Sequence, residues 1–416
     1  MGLREALLKD GRAILQSFLQ AQAEALPAAI SAAGEKRFAN RPRHIATIFG
    51  TLKICRDYFY LPAERVGRAP FDEALGLTNG ASPGLVRLVS RAAVRQPYQA
   101  ASDDLIELAG VVCAARQIQR LVDHSGPKMA AKLQADSSAP QEIGPIPILY
   151  VEIDATGIPM VAAELKNRRG KQADGSAKTR EVKLGAVFTQ TQTDDEGRPV
   201  RDAASTTYLG TMDSSVDFGP VIRREAHRRG LAHARKVVAI GDGAAWIWEL
   251  VRVNFPNAIC IVDFYHMMLY LHELARLLYG AETPWMERKK SAWKEQMQND
   301  QVASVIASMR IRFEELGNLS AETKEAIEKN IAYLENHREQ MRYGTFRKEG
   351  YFYGSGVVEA GCRAVIGQRL KQSGMFWTQP GAENVLALRC ALLSHRWDEC
   401  WDQINRPRQF PQAFAA

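Results

Sequence analysis

The spacing of apolar and polar residues predicts a first region made of helices and one β-hairpin. Residues 3–33 are rich in Ala, Leu, Glu and Gln, as helices are, and alternation over residues 44–62 predicts a hairpin that turns near Gly50. Residues 84–124 are again predicted to be helical. Prolines then recur over residues 127–147, which we interpret as a linker between domains.

A second region, from residue 148 onwards, has the pattern of an α/β domain. Predicted strands cover residues 148–154, 183–192, 205–210, 236–242 and 258–263, and predicted helices cover residues 215–230 and 244–255. We expect two antiparallel neighbours on one side of the first strand and parallel strands on its other side, which makes a mixed sheet. From residue 264 to about 340 the chain is predicted to be almost wholly helical, and two further helices follow near 355–371 and 380–396.

Composition narrows the class of protein. Hydrophobic residues make up 46% and charged residues 24% of the chain, as in globular proteins, and no apolar run reaches the roughly 18 residues of a membrane helix. We expect no membrane partner and, since the first residues lack a continuous apolar stretch, a cytoplasmic location. The net charge of +7 hints at a polyanionic partner. The six cysteines include no CxxC pair, so no zinc knuckle is predicted.

Three acids lie at predicted strand ends or in an early helical turn, positions from which side chains can bind a metal ion. Asp154 ends the apolar segment ILYVEID and Asp242 ends KVVAIGD, and the carboxyl ends of adjacent parallel strands meet at one edge of a sheet. Ser355 can begin a helix that has Glu359 in its early turns. Carboxylates clustered in this way could hold two Mg²⁺ or Mn²⁺ ions for phosphodiester chemistry. The alternative is that each acid is an ordinary turn or surface residue.

Several long blocks carry a resemblance to a known family. VEIDATGIPM, TREVKLGAVFTQT, AIGDGAAWIWEL, NAICIVDFYHMMLYL and MRYGTFRKEGYFYGSGVVEAGCRAVIGQRLKQSGMFWTQPGAENVLALR occur in order, followed by LLSHRWDECW. Together, from about residue 40 to 402, they resemble the bacterial insertion-sequence transposases of the IS-Kra group. Relatives often carry a cysteine pair after the first hairpin, whereas residues 58–77 contain none. A bound zinc is therefore not expected.

The resemblance implies a DDE transposase with a ribonuclease-H-like core, in which Asp154, Asp242 and Glu359 are the catalytic, metal-binding acids. It implies double-stranded DNA (transposon ends and target) as the partner, a nucleoid-associated location, and action as a homodimer or higher oligomer. The expected domains are 1–80 (helices and hairpin), 81–126 (DNA-binding), the linker 127–147, a catalytic domain over 148–402 with a helical insertion at about 267–345, and a tail over 403–416.

Residues 97–126 have the form of a helix–turn–helix. A first helix is predicted over 98–109 and a second over 114–123, with Gly110 in the turn. The predicted core positions are Ala114, Ile118, Leu121 and Val122. The predicted outward, DNA-binding positions are Arg116, Gln117, Gln119 and Arg120. The alternative is a helical hairpin without a DNA-binding role.

Other residues are candidates around the site. His266 lies three residues after Asp263 in an element that resembles the D-x-x-H of some DDE transposases, so we group it with the catalytic acids, although a structural histidine beside a capping Asp is the alternative. Arg168 and Arg169 lie in the basic segment 166–183, whose cations could contact phosphates.

Trp377 lies between two predicted helices. It or Phe376 is a candidate to stack on an unpaired base, with Arg369 and Lys371 as DNA-binding neighbours, and a core position for Trp377 is the alternative.

Two other functions fit parts of the sequence. One is a hydrolytic nuclease on the same ribonuclease-H-like fold, although such enzymes are shorter. The other is a non-catalytic DNA-binding protein derived from a transposase, although all three acids are intact.

Overall fold

The computed structural model describes residues 2–26, 33–136, 144–170, 172 and 175–404. They fall into two compact units. The first unit combines residues 1–133 with 368–416, and the second consists of residues 134–367. Within the described residues, no helix combines the length and the apolar composition that crossing a membrane requires.

The N-terminal part is a three-stranded antiparallel sheet, in the order β1-β2-β3, surrounded by helices. Its elements are α1 (Leu3–Ala25), β1 (Lys36–Thr47), β2 (Gly50–Leu61), β3 (Val66–Arg68), α2 (Pro70–Ala74), α3 (Pro83–Ala93), α4 (Tyr98–Ala109) and α5 (Ala115–Ala135).

The central part alternates strands and helices and then becomes helical. Its elements are β4 (Ile146–Pro159), α6 (Ala162–Leu165), β5 (Thr179–Gln190), β6 (Gln192–Thr193), β7 (Pro199–Val200), β8 (Thr207–Thr211), α7 (Ser215–Arg228), β9 (Ala234–Gly241), α8 (Ala245–Asn254), β10 (Ile259–Val262), α9 (Phe264–Tyr279), α10 (Pro284–Gln298), α11 (Val302–Glu315), α12 (Ala321–Asn336), α13 (Tyr343–Lys348) and α14 (Gly356–Gly361). A single π-helical turn over Cys362–Gly367 leads into the last helices, which are α15 (Gln368–Leu370), α16 (Gln379–Leu393) and α17 (Trp397–Ile404).

The hairpin of the first unit is longer than the sequence pattern predicts. Strand β1 begins at Lys36, although alternation was visible only from residue 44, because its first half is polar and exposed and gives no periodic signal. This half is a strand because it pairs with β2, with Phe38 opposite Tyr58 and, further along, Ile45 opposite Leu52. The turn end is anchored by a buried cluster of Leu19, Ile45, Leu52, Ile54 and Phe71. The last residues of the predicted N-terminal helix fall partly outside the described residues.

Two helices, α4 and α5, occupy the segment for which a helix–turn–helix is predicted. Gly110 ends α4 with a φ of 67°, the left-handed conformation that glycine adopts at little cost. Ile118, Leu121 and Val122 are buried as predicted. Ala114 is exposed instead, because it precedes the first turn of α5.

The predicted linker starts inside a helix. Helix α5 continues through Pro127 to Ala135. A proline inside a helix removes one backbone hydrogen bond, and next to it, at Gly126, α5 comes close to α16. A Cβ on Gly126 would stand 2.4 Å from the Cβ of Asn384, and Asn384 donates a hydrogen bond to Asp123 at 3.2 Å. The linker residues 137–143 lie outside the described residues.

The C-terminal helices belong to the first unit, whereas the sequence pattern extended the catalytic domain to residue 402. Two buried arginines explain the difference, because they satisfy carbonyl groups at the end of α3. Arg369 donates to the oxygen of Ala93 at 2.9 Å, and Arg389 donates to the oxygen of Val94. Cationic donors at a helix C-terminus also interact favourably with the negative end of the helix dipole. Of the predicted tail, residues 405–416 lie outside the described residues.

The second unit is built on a mixed sheet, as predicted. Its strand order is β10-β9-β4-β5-β8. Strand β4 is parallel to β9 and antiparallel to β5, β10 is parallel to β9, and β8 is antiparallel to β5. Leu149, Tyr150 and Val151 of β4 are fully buried, which explains why that strand is written as an unbroken apolar run.

The predicted helical insertion is also present, as α9 to α13. Its apolar side chains share one buried cluster with strand residues such as Tyr150 and Ile261. Several of its helices begin at side-chain caps, since Asp263, Thr283 and Ser320 each accept a hydrogen bond from a backbone nitrogen three residues ahead.

Candidate active site

Asp154 and Asp242 lie at the same edge of the second unit's sheet. Strands β4 and β9 pair in parallel register up to Glu152 opposite Ile240, so each aspartate is two residues beyond the last matched pair. Asp154 does not end its strand, however, because β4 continues to Pro159 and Asp154 is paired with Leu184 of β5. It marks the end of the parallel pairing with β9 and not the end of the strand.

Glu359 lies in a helix that packs on strands β4 and β5. It is an exposed residue of α14, and its Oε1 accepts a hydrogen bond from the Ser355 hydroxyl at 3.1 Å. Helix α14 lies close to the sheet because it carries glycine at the contact. A Cβ on Gly361 would stand 2.5 Å from Tyr208 and 2.9 Å from Leu184.

The charges of Asp242 and Glu359 act on the carboxyl group of Asp154. Burial raises the pKa of Asp154 above its ordinary value, and the negative charges of Asp242 and Glu359 raise this pKa further. Hydrogen bonds from the Ala155 backbone and the Cys362 thiol lower the same pKa. The site therefore concentrates negative charge around Asp154, which a bound cation would relieve.

The acids do not form a finished ligand cluster. Within the part of the chain that the structure describes, no three side chains of His, Cys, Asp or Glu lie close enough together to hold a metal ion as they stand. Both aspartates are turned towards their own backbone: Asp154 accepts from the nitrogen of Ala155 at 2.7 Å, and Asp242 accepts from the nitrogen of Ala244 at 2.9 Å. Side-chain rotation is needed before they could share an ion.

Two buried acids that the sequence analysis did not assign to the site fix the segment that carries Glu359. The Oε2 atom of Glu152 accepts from the nitrogen of Val358 at 2.7 Å, and Oδ2 of Asp263 accepts from the nitrogen of Ser355 at 2.5 Å. Their side chains are 0% and 1% exposed. The sequence does contain a signal for Glu152, which is an acid inside the otherwise apolar segment ILYVEI. An acid at a buried strand position indicates a hydrogen-bond partner, because a buried carboxyl group needs one.

The turn that carries Asp242 is held by the helical insertion. Tyr333 of α12 donates its hydroxyl to the carbonyl oxygen of Asp242 at 2.7 Å. The ring of Tyr333 stacks on Tyr270 with centroids 3.7 Å apart. Gly243 has a φ of 92°, and a Cβ there would stand 2.4 Å from the Tyr333 hydroxyl. The position therefore requires glycine.

His266 lies beside this turn. Its backbone nitrogen donates to Oδ1 of the capping Asp263, which is the structural arrangement considered in the sequence analysis. Its ring meets Tyr270 edge to face with centroids 5.6 Å apart, and Tyr270 in turn stacks on Tyr333. The structure thus gives His266 a place next to the Asp242 turn, and a catalytic role for it stays a prediction.

Most predicted DNA-binding residues are available to solvent. Arg116, Gln119 and Arg120 of α5 are exposed and Gln117 is half-buried, while Arg168, Arg169 and Lys371 are exposed. Residues 171, 173 and 174 of the basic segment lie outside the described residues. DNA contacts at these positions remain predictions.

Arg369 and Trp377 differ from the expectation, because both are core residues. They are 1% and 8% exposed. The Trp377 indole donates to the oxygen of Leu370 at 3.0 Å, and the Arg369 guanidinium lies 5.1 Å from the centre of the Trp377 ring. The core alternative for Trp377 is the one that this structure supports. Phe376, its neighbour, is 59% exposed.

Comparisons with known proteins complete the description. A model of a family described as "Uncharacterised protein family (UPF0236)" matches residues 5–396. A protein of Streptococcus gallolyticus, the UPF0236 protein in the vanSb 3′ region, is 24% identical over 363 residues, which cover 84% of this chain and 72% of that protein. Among solved structures, the Drosophila P element transposase strand transfer complex is similar over 77% of this chain and 81% of that one, at 12% identity and a TM-score of 0.25. Since the family model spans nearly the whole sequence, the chain belongs to the UPF0236 family.

Proposed function

We propose that this protein is a DDE transposase of the insertion-sequence type, which binds the ends of its element and catalyses metal-dependent DNA cleavage and strand transfer on a ribonuclease-H-like core. One observation carries the proposal. Asp154 and Asp242 each stand two residues beyond the last matched pair of the parallel strands β4 and β9, and Glu359 lies in helix α14, which packs on β4 and β5 of the same sheet. Ordinary surface acids have no reason to collect in this way.

The donor set fits Mg²⁺ or Mn²⁺. All three candidate ligands are carboxylates, the hard oxygen donors that these ions prefer alongside water and substrate phosphate. Asp154, Asp242 and Glu359 would hold the ions. When bound, two such ions supply Lewis acidity to the attacking and leaving oxygens of a phosphodiester.

The chain's own residues prepare this arrangement. The backbone hydrogen bonds from Ala155 and Ala244 each engage one oxygen of an aspartate. A cation would bind these carboxylates once their side chains have rotated. Glu359 is exposed, and its carboxylate accepts a hydrogen bond from Ser355. Its side chain can turn towards the aspartates while Glu152 and Asp263 keep the backbone of this segment in place.

Two reactions follow in sequence. In the first, water attacks a phosphodiester at the end of the element, the bond from phosphorus to the 3′ oxygen breaks, and a 3′-hydroxyl is released. In the second, that hydroxyl attacks a phosphodiester of target DNA, a new bond from phosphorus to oxygen forms, and the target strand's own 3′-hydroxyl leaves. Neither step requires a covalent bond between protein and DNA.

Further residues are proposed to bind DNA. We assign the exposed face of α5 (Arg116, Gln117, Gln119 and Arg120) to reading the terminal repeats, and Arg168, Arg169 and Lys371 to phosphate contacts. Two element ends must be processed together, so we expect a homodimer or higher oligomer on DNA, associated with the nucleoid.

The test uses the purified full-length chain with a supercoiled plasmid that carries the DNA flanking its gene. Cleavage should require Mg²⁺ or Mn²⁺, and D154N, D242N and E359Q should each lower it by at least about 100-fold while duplex binding persists. The matched control is D195N, which removes an exposed charge from a turn. Joined products distinguish a transposase from a hydrolytic nuclease, which would only nick. Binding without any cleavage would indicate a non-catalytic derivative and overturn the proposal.

A further inference from the structure

The N-terminal sheet carries most of the protein's excess positive charge. Residues 36–68, which form β1, β2 and β3, contain eight Lys and Arg and two Asp and Glu, a net charge of +6. The whole chain has +7, so the other residues together contribute only +1. We call residues 36–68 the basic ribbon. A concentration of this kind on one element favours a polyanionic partner there.

Only part of this charge is used inside the protein. Arg37 pairs with Asp57, Arg56 with Asp72 and Arg68 with Glu35, at 2.6, 2.9 and 2.7 Å respectively. Within the described residues, Lys36, Arg41, Lys53 and Arg65 have no ion-pair partner, and all four are exposed.

The exposed Arg41 side chain is positioned by two aromatic rings. Its guanidinium lies 4.6 Å from the centre of the Tyr58 ring and 5.7 Å from that of Phe38. A cation stabilised by ring faces keeps its N–H donors free, whereas a carboxylate partner would occupy them. Asn40, with a φ of 51°, lies at an irregularity between Phe38 and Arg41 that interrupts the regular pairing with β2. Such a bulge changes the direction in which the following side chains point.

The shape of the basic ribbon suits the groove of a duplex. Its two long strands have 12 residues each, about 40 Å at the usual rise per residue. The turn end is anchored by the buried cluster around Ile45 and Leu52, while residues 36–42 are exposed throughout. The ribbon has three strands where β3 pairs with residues 59–61 of β2, and two strands over residues 41–47 and 50–56. The major groove of B-form DNA, about 12 Å wide, admits a two-stranded β-ribbon.

We propose that the basic ribbon is a duplex-DNA-binding element, which places Lys36, Arg41 and Lys53 against phosphates along the major groove. The choice of DNA as partner rests on the proposed function. The inference adds a second DNA-binding element to the helix α5, and it concerns affinity for the duplex and not the reading of a particular sequence, because charge contacts to phosphates carry no sequence information.

The experiment measures binding of full-length protein to a fluorescent 30-base-pair DNA duplex of random sequence by anisotropy, over a series of salt concentrations. The triple variant K36Q/R41Q/K53Q should bind about tenfold more weakly, and its plot of log affinity against log salt should be less steep by about two to three, since each lost phosphate contact removes about 0.9. The control K294Q/K324Q/K329Q removes the same charge from exposed positions of α10 and α12 and should bind like the wild type.

Several outcomes would overturn the proposal. The ribbon variant could bind the duplex as tightly as the control variant does. It could lose affinity equally for an RNA duplex of the same length, whose deep, narrow major groove excludes a ribbon. It could lose affinity only for polyglutamate, which would indicate an acidic protein partner. Unchanged unfolding temperatures verify that the variants fold. If wild type lacks metal-dependent cleavage but the ribbon variant still loses duplex affinity, the proposed function fails and the ribbon inference stands.

Discussion

Glu152 accepts a hydrogen bond from the backbone nitrogen of Val358 at 2.7 Å, between residues 206 positions apart in the chain. The carboxyl group is completely buried, and within the described residues its other oxygen has no partner. It connects the strand that carries Asp154 to the helix that carries Glu359. The bond thereby fixes the backbone of one candidate ligand relative to another.

The variant Glu152→Leu tests whether the hydrogen bond from Val358 to Glu152 positions Glu359 for metal binding. Leucine leaves the Val358 nitrogen buried without an acceptor, which costs about 1–3 kcal/mol, and it frees the start of α14. We expect titration calorimetry to show Mn²⁺ affinity lowered about tenfold or more in this variant. Glu152→Gln keeps an acceptor oxygen and should bind Mn²⁺ nearly like wild type. Equal affinity of the Leu variant and wild type would show that Glu152 does not position Glu359.

Burial, together with the charge of Asp263, raises the pKa of Glu152 to about 8, although the hydrogen bond from Val358 lowers it. The ordinary pKa of this carboxyl is 4.5, so its contribution to stability is complete below that value and is lost as pH rises towards and through about 8. The free energy of unfolding, measured in EDTA from pH 5 to 9, should therefore fall more steeply in wild type than in Glu152→Gln. The raised pKa of Asp154 acts in both proteins and cancels in the comparison. Parallel curves would contradict the assignment.

How far the sequence predicts this fold depends on whether a signal is local. We can predict β9, β10 and the acids that follow them, because a strand buried on both faces has an unbroken run of apolar residues in the sequence. Asp154 is different, since the residues after it look like a turn. There β4 continues along β5 with Gly157 packed against Thr179, where a Cβ would meet the hydroxyl at 2.8 Å. That contact depends on a strand more than twenty residues away.

The burial of Arg369 and Trp377 could not be predicted from the sequence either, because it depends on residues far away in the chain. An arginine near an aromatic residue between two helices is typical of a nucleic-acid-binding surface and of a core alike. The deciding partner of Arg369 is the carbonyl oxygen of Ala93, 276 residues earlier. Equally, the bond between Glu152 and Val358 could not be predicted from the sequence, because alternation along a strand gives the face of a side chain but not its partner.

Asp154→Asn should have opposite effects with and without metal. In EDTA we expect the variant to unfold at a slightly higher temperature than wild type, because it removes a half-buried charge on which the charges of Asp242 and Glu359 act unfavourably. With Mn²⁺ present at about 100 times its dissociation constant, wild type should gain about 2.7 kcal/mol, and the variant should gain little. Asp195→Asn, at an exposed turn, should behave like wild type in both conditions. Full metal stabilisation of Asp154→Asn would remove Asp154 from the site.

Gly243→Ala tests whether the helical insertion holds the Asp242 turn. Alanine has to adopt a φ of 92° and place its Cβ 2.4 Å from the Tyr333 hydroxyl, so we expect a loss of about 2 kcal/mol or more in unfolding free energy. Tyr333→Phe only removes the hydrogen bond to the Asp242 carbonyl, worth about 1 kcal/mol.

The double variant is the decisive measurement for this contact. With the hydroxyl gone, the nearest remaining ring atom is Cε2 at 2.7 Å, so part of the clash at Gly243 is relieved. Denaturant unfolding should therefore show that the two substitutions together cost less than the sum of the two alone, by about 0.5 kcal/mol or more. Simple additivity would mean that the turn moves away from Tyr333, and that α12 does not set the position of Asp242.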